Sequence, residues 1–393
     1  MRLLRDFSLS SVVAGFVAVL VGFTSSAVIV FEAARAAGAS PAQVASWLWA
    51  LGIGMGLTTL LLSLRYRMPV LTAWSTPGAA LLITSVAGLP LAQTIGAFVV
   101  TGLLIVAVGL SGVFERLMQR LPVALAAGML AGVLLRFGLD AFAAMQTQLL
   151  LVGAMLAVYL AARQRAARYA VPAALLVGMV VAAAQGLFAP LALEAAGGSL
   201  LTQPQFVMPQ FSLAATIGVA LPLFIVTMAS QNVPGVATLR AHGYAPPLSP
   251  VITTTGVATT LLAPFGGYAL NLAAITAAIC MGREAHAEPD KRYTAAVAAG
   301  VFYLLLGLFA ASVTALFAAF PRELVVAIAG LALLGTIGSG LAAALGDESQ
   351  REAALVTFLV TASGLTLWSI GSAFWGLVAG LIALAARRLL ARG

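Results

Sequence analysis

Long apolar runs, separated by short polar or charged connectors, follow one another along the whole chain. The runs are continuous, which predicts membrane-spanning helices and excludes the short alternating strands of a β-barrel. A helix needs about 20 apolar residues to cross the hydrocarbon core of a bilayer. We divide the chain into fourteen segments, seven on each side of a connector rich in Gly and Pro at 190–209: 10–31, 44–64, 77–90, 93–113, 121–139, 147–162, 169–189, 211–233, 249–263, 269–282, 293–318, 323–345, 352–367 and 371–390.

The third and tenth segments are too short to cross as helices, and a Pro-led polar stretch precedes each of them. These stretches are Pro69–Thr76 and Pro264–Tyr268. Because Pro lacks a backbone donor and keeps the residue before it out of the helical region, we expect both stretches to be extended. Each would lead into a half-helix, one starting near Pro77 and the other near Asn271. The alternative is that both stretches are ordinary surface loops.

The positions of the basic residues predict the orientation of the chain. With the N-terminus inside, seventeen of the twenty Lys and Arg residues fall in cytoplasmic connectors, and Arg35, Arg136 and Arg322 fall outside. Such an excess is typical of the cytoplasmic side. We therefore expect both chain ends in the cytoplasm. An odd number of segments in each half gives the halves opposite orientations, which is an inverted repeat of the kind found in transporters.

The composition agrees with a membrane protein that has little mass outside the bilayer. Apolar residues make up 62% of the chain and charged residues 8%, and the mean hydropathy is +1.07. Soluble domains have about 25% charged residues. The net charge of +8 follows from topology, and no basic and aromatic stripe indicates a nucleic acid partner. The single cysteine, Cys280, matches no metal or redox spacing, and we expect no cofactor.

The clearest polar group in an apolar segment is Ser230-Gln231-Asn232, late in the eighth segment and directly before Val233-Pro234-Gly235. Asn232 and Asn271 are the only two asparagines of the chain. Buried amides are costly without partners, so these residues either bind a ligand or join helices by hydrogen bonds. Ser25 occupies the position equivalent to Ser230 in the first half. Two half-helix N-termini facing one cavity would also favour a small anion.

Two motifs carry a resemblance to a known family. Residues 230–244, SQNVPGVATLRAHGY, and residues 264–280, PFGGYALNLAAITAAIC, resemble the benzoate/proton symporter (BenE) family. The resemblance covers essentially the whole chain. It implies uptake of benzoate or a related aromatic carboxylate, coupled to protons, across the bacterial inner membrane. It also implies an all-α polytopic fold similar to the uracil permeases, with fourteen segments as a 7+7 inverted repeat, short strands in segments 3 and 10, and a possible homodimer.

That fold has a core domain that moves against a gate domain. Applied to this sequence, the core comprises 1–120 (segments 1–4) and 210–320 (segments 8–11). The gate comprises 121–209 (segments 5–7) and 321–393 (segments 12–14).

The resemblance and the polar residues together suggest how an aromatic carboxylate would be held. We expect the half-helix N-termini and Asn271 to meet the carboxylate, with further hydrogen bonds from the Ser230 group. Aromatic side chains would face the ring, because aromatic pairs stack or meet edge to face. The candidate substrate-binding residues are Ser25, Ser75, Thr76, Ser230, Gln231, Asn232, Phe265, Gly267, Tyr268 and Asn271, with Trp74 as a further aromatic candidate.

The sequence leaves the proton carrier open. None of the twelve acidic residues falls at the middle of a predicted core segment. Either the substrate carboxylate carries the proton itself, or Glu32 relays it. An anion or nucleobase carrier of the same fold is the alternative function. An enzyme would need a catalytic constellation that this sequence lacks, and a passive channel is disfavoured by the inverted repeat.

Overall fold

The computed structural model of the chain is helical. It describes residues 5–86, 88–119, 122–166, 169–190, 201–310, 312, 319–365, 367 and 372–390. The helices are α1 Leu9–Ala36, α2 Pro41–Tyr66, α3 Thr76–Ser85, α4 Leu91–Ser111, α5 Val113–Gln119, α6 Val123–Ala143, α7 Leu149–Ala166, α8 Ala170–Ala184, α9 Leu213–Ala241, α10 Leu248–Leu262, α11 Ile275–Met281, α12 Tyr293–Leu308, α13 Arg322–Gly346, α14 Arg351–Ala362 and α15 Ser372–Leu390.

Six of the described helices are long and apolar enough to cross a membrane by length and composition alone. These are α2, α4, α6, α9, α10 and α13, with α6 and α10 each counted together with the short helical turn that follows. Each predicted segment overlaps one of the described helices. In the predicted segment 293–318, α12 ends at Leu308. Residues 311 and 313–318 lie outside the described part of the chain.

Two short strands interrupt the helical pattern at the positions where the sequence has its Pro-led breaks. Strand β1 is Thr72–Trp74, directly before α3, and strand β2 is Leu270–Leu272, shortly before α11. They pair antiparallel, with Ala73 opposite Asn271. Both strands are largely buried, so their outward-facing backbone groups need partners inside the protein.

Side-chain oxygens from two helices accept hydrogen bonds from backbone N–H groups at the outer edge of β2. The Leu270 N–H donates to Thr259 Oγ1 at 2.9 Å, and the Leu272 N–H donates to Asn232 Oδ1 at 2.9 Å. These bonds take the place of a further strand. A buried edge strand of three residues is therefore stable at this depth.

The second break differs from its prediction. The stretch Pro264–Tyr268 is not extended, since Ala263–Phe265 form a 3-10 turn that ends at Gly266 with φ +92°. The strand follows this turn, so Asn271 lies in the strand and α11 begins only at Ile275. The first break has the predicted order, with β1 inside Pro69–Thr76 and α3 starting beside Pro77.

Helix α9 is widened to π-helical turns at Thr216–Ala220 and Met228–Asn232. Pro222 and Pro234, which have no backbone N–H, each follow the end of a widened turn by two residues. The second turn contains Ser230, Gln231 and Asn232. Widened turns inside helices often occur at functional sites.

Two groups of helices pack closely. Around the strands, α2 packs on α12, α4 packs on α10, and α1 packs on α3, α11 and α12. In the second group, α6 packs on α13 and α14, α7 packs on α8, and α14 packs on α15. Small residues allow the close approaches. A Cβ at Gly52 of α2 would lie 2.6 Å from Gly307 Cα of α12.

Candidate functional site

A cavity of about 350 Å³ lies where the two broken segments meet. Its walls come from β1 and the start of α3, from the residues between β2 and α11, and from α1, α2, α6, α9 and α12. Broken helices with irregular backbone around a cavity are the arrangement in which membrane transporters bind their substrates.

Part of the cavity lining is polar. Gln231 lines the cavity from the second π-helical turn of α9, and Thr76 and Thr276 line it at the first turns of α3 and α11. Tyr303 of α12 also lines the cavity. Hydroxyl and amide groups of this kind both donate and accept hydrogen bonds, so they suit a small polar group of either type.

The remaining walls are mainly apolar and aromatic. Trp74 lines the cavity, and its indole Nε1 donates to Ser26 Oγ at 3.0 Å, which fixes the orientation of the ring. Ser26 Oγ in turn donates to the Gly22 carbonyl at 2.8 Å. Phe137 of α6 and Met55 of α2 complete this surface. Such walls suit a flat aromatic or aliphatic group.

Gln231, Thr76 and the further aromatic candidate Trp74 are the predicted site residues that line this cavity. Ser75 lies directly behind them as the N-cap of α3, where its Oγ accepts the Gly78 N–H at 3.1 Å and the Thr227 hydroxyl at 3.2 Å. Ser230 is 9% exposed and is not part of the lining.

The two asparagines support the strand pair. Asn232 is buried, and it accepts the Leu272 N–H while its Nδ2 lies 3.1 Å from the Met228 sulfur. Asn271 is also buried, and its Nδ2 donates to the carbonyl of Ala269 at 2.9 Å. Ala269 has φ +40°, a backbone conformation that L-residues rarely adopt, so this hydrogen bond holds a strained residue in place.

Three further predicted residues lie away from the cavity. Tyr268 is fully buried between Trp47 and Phe98, with ring centroids 6.0 and 5.7 Å away. Phe265 packs on other aromatic rings in the turn before β2, and Gly267 lies against the end of α10.

The two remaining candidates are Ser25 and Glu32. The side chain of Ser25 lies outside the described part of the structure. Glu32 is exposed near the end of α1 and forms an ion pair of 2.9 Å with Arg35. This ion pair is at the surface and not in the cavity.

The structure adds lining residues that the sequence did not single out, among them Gly22, Phe137, Thr276 and Tyr303. The sequence could have indicated Thr276, because this residue lies inside the second motif, 264–280, close to the expected half-helix. Phe137 and Tyr303 belong to ordinary apolar helices, and no local signal distinguishes them from their neighbours. Among the described residues, no group of three His, Cys, Asp or Glu is arranged to hold a metal ion.

A helical membrane protein with a cavity enclosed by two broken segments has the construction of a membrane transport protein. The sequence model of the family described as Benzoate membrane transport protein (BenE) matches residues 5–386. The chain therefore belongs to the BenE family, whose members are membrane transport proteins and not enzymes.

Two curated relatives cover nearly the full length. The Inner membrane protein YdcO of Escherichia coli (strain K12) is 52% identical over 397 residues, which cover 99% of each chain. The Benzoate membrane transport protein of Acinetobacter baylyi (strain ATCC 33305 / BD413 / ADP1) is 42% identical over 379 residues, covering 96% of this chain and 95% of that one.

Solved structures show more distant similarity. The transmembrane domain of the cyanobacterium bicarbonate transporter BicA has a TM-score of 0.43 at 13% identity, covering 95% of this chain and 97% of that chain. The structure of SLC26A9 has a TM-score of 0.48 at 12% identity, covering 98% of this chain and 66% of that chain. Both TM-scores are below 0.5.

Proposed function

We propose that this protein imports benzoate or a related aromatic carboxylate together with protons, by alternating access, across a bacterial inner membrane. The observation that carries the proposal is the cavity between the two broken segments, which has an aromatic wall at Trp74 and a polar wall at Gln231. The family supports the substrate class, and so does the relative from Acinetobacter baylyi, which is a benzoate membrane transport protein.

The shape and chemistry of the walls suggest how the substrate lies. In this proposal the aromatic ring lies between Trp74 and Phe137, which both line the cavity and whose rings can meet it edge to face or stacked. The carboxyl group then points to the Gln231 amide and to the hydroxyls of Thr76 and Thr276. A volume of about 350 Å³ is within the range of pockets that enclose small ligands.

The other predicted residues enter the proposal in supporting roles. Ser75, Asn232 and Asn271 hold the strands and the start of α3 that form the cavity wall. Direct contacts with the substrate from the remaining predicted residues stay predictions: Ser25, Ser230, Phe265, Gly267 and Tyr268. Glu32 remains a predicted proton relay, although its surface ion pair lies away from the cavity.

For the transport cycle we propose fourteen segments in an inverted 7+7 repeat, divided into the core and gate domains given above. Most cavity residues belong to the core, and Phe137 comes from the gate. A second contact between the two lies at Gly335 of α13, where an added Cβ would be 2.8 Å from Glu284 Oε1. Sliding of the core along this boundary would expose the cavity alternately to each side.

The orientation and assembly belong to the same proposal. Both termini lie in the cytoplasm, because the basic connectors favour that side. The relative from Escherichia coli is an inner membrane protein, which supports the location. A homodimer through the gate segments is the expected assembly.

The proposal is tested by uptake of labelled benzoate into proteoliposomes that contain the purified full chain, with and without an inward proton gradient. We expect saturable uptake that the gradient stimulates. The alternative is a nucleobase or anion carrier of the same fold. Inhibition of the labelled uptake by unlabelled uracil or bicarbonate would indicate that alternative. Benzoate uptake that is no greater than in protein-free liposomes, with no saturable binding, would reject benzoate as the substrate.

A further inference from the structure

None of the described residues that line the cavity is Asp, Glu, His, Lys or Arg. The polar side chains that line it belong to Ser26, Thr76, Gln231, Thr276 and Tyr303. Hydroxyls and amides do not ionise near neutral pH, and a phenol ordinarily titrates at about pH 10. A carboxylate that entered this cavity would therefore meet no cationic side chain among the described lining residues, and none of those residues is an acid that could carry its proton.

The charged groups on the elements around the cavity lie at helix ends or at the surface. Arg136 is next to Phe137, but its side chain is 87% exposed and faces Asp140 at 3.7 Å. Arg240 follows Gln231 by nine residues, about 14 Å along a helix. Along the chain, the nearest charged residues on the other elements are Glu32 on α1, Arg65 at the end of α2, Arg67 before β1, Arg283 after α11 and Arg292 before α12.

The two half-helices offer little positive charge in place of a side-chain cation. At the start of α3, Ser75 Oγ accepts the Gly78 N–H, and Pro77 has no N–H, so Thr76 has the first-turn N–H that remains. Helix α11 has seven residues, less than two turns, and the charge at a helix terminus depends on the sum of aligned peptide dipoles. Neither terminus compensates a full negative charge.

We propose that the substrate binds as the neutral carboxylic acid and that the transported proton travels on the substrate carboxyl group. This inference rests on the proposed function. Burying an ionised carboxylate without a cation costs far more than burying the neutral acid, which needs only hydrogen-bond partners. The acid O–H can donate to the Gln231 or Thr276 side-chain oxygen, and its carbonyl can accept from the Gln231 amide. The proton enters and leaves with the same carboxyl group.

The proposal predicts a specific pH dependence. An aromatic carboxyl group titrates at about pH 4, as side-chain carboxyls do, so near pH 7 about one molecule in a thousand is neutral. If only that form binds, the apparent Kd of benzoate rises about tenfold for each pH unit above the carboxyl pKa. If a protein side chain carried the proton, the pH dependence of binding would follow the pKa of that side chain and would be the same for every ligand.

Equilibrium binding to the purified full chain in lipid nanodiscs tests this, at pH values one unit apart from about 5.5 to about 7.5. Labelled benzoate is expected to show the tenfold change per unit. Benzamide has the same ring and no ionisable carboxyl. Its inhibition constant in competition with benzoate should therefore be the same at every pH. Benzenesulfonate keeps its negative charge throughout, so it should not compete at any pH.

Two results would overturn the inference while leaving the proposed function in place. One is a constant benzoate Kd together with competition by benzenesulfonate, which indicates an anion site. The other is the same pH dependence for benzamide as for benzoate, which indicates a titrating protein group. If none of the three compounds binds at any pH, the proposed function itself fails and the inference fails with it.

Discussion

Asn232 Oδ1 accepts a hydrogen bond from the backbone N–H of Leu272 at 2.9 Å, although forty residues separate the two along the chain. This bond joins the π-helical turn of α9 to the edge of β2. Its neighbour Gln231, in the same turn, lines the cavity. Adjacent polar residues of one motif therefore have different roles, since one completes the strand pair and the other faces the cavity.

Replacing Asn232 should destabilise the fold. In Asn232→Ala, the buried Leu272 N–H loses its acceptor, and an unsatisfied buried donor costs about 1–3 kcal/mol. We expect a lower thermal unfolding midpoint of the purified protein in detergent. Gln231→Ala is the matched control from the same turn, and its midpoint should stay close to that of the wild type. Equal midpoints for Asn232→Ala and the wild type would contradict the structural role.

Replacing Gln231 should weaken substrate binding without loss of stability. The variant Gln231→Ala removes one hydrogen-bonding group from the cavity wall, so the Kd of benzoate should rise by about threefold to tenfold, equivalent to about 1 kcal/mol. Binding measured by isothermal titration checks this. Gln146→Ala, at an exposed position after α6, is the control that should bind normally. Normal binding by Gln231→Ala would mean that the site lies elsewhere.

The size of the cavity should depend on Gly22 of α1. An added Cβ there would lie 3.0 Å from Thr276 Cγ2 and 3.7 Å from the Tyr303 hydroxyl, so Gly22→Ala narrows the polar wall. We expect weaker binding of benzoate, and a larger loss for benzoates with ring substituents, in competition assays. Gly153→Ala in α7 is the control, because nothing lies within 4 Å of its added Cβ. If both variants rank benzoate and its ring-substituted forms in the same order of affinity, Gly22 does not border the binding site.

A pH-dependent contribution to stability should come from Glu115 of α5. Its Oε2 accepts the Ser249 N–H at 2.9 Å, in the first turn of α10, where the N-cap Pro247 supplies no side-chain acceptor. Hydrogen bonds from the Ser249 side chain and backbone hold the pKa of Glu115 below its ordinary value of 4.5. Because this pKa is lowered on folding, the stabilisation is present above about pH 4.5 and is lost as the pH falls through the lowered pKa.

The variant Glu115→Gln tests this contribution. At neutral pH it should lower the free energy of unfolding by about 1 kcal/mol, the usual value of a helix cap, and the difference should shrink in acid. Unfolding midpoints at neutral pH and at about pH 4 measure both effects. Glu348→Gln is the control, because that side chain is 86% exposed. A difference that persists unchanged in acid would contradict the proposed cap.

The sequence by itself determined the membrane class, the family and the positions of the helices. Apolar runs of the length of a bilayer leave few alternatives, since backbone groups in lipid must be satisfied within a helix. The Pro-led breaks also marked where regular helix fails. These signals are local, so a single sequence is enough to read them.

Only the tertiary structure decided which polar residues face the cavity. Phe137 and Tyr303 reach it from helices with no distinguishing pattern, whereas Asn271, one of only two asparagines, is turned toward the strained carbonyl of Ala269. The sequence also could not place β2 after the Pro264 turn, because its edge depends on Asn232 and Thr259 from distant helices. Hydrogen bonds between remote segments form only once the helices have packed, and therefore leave no local pattern.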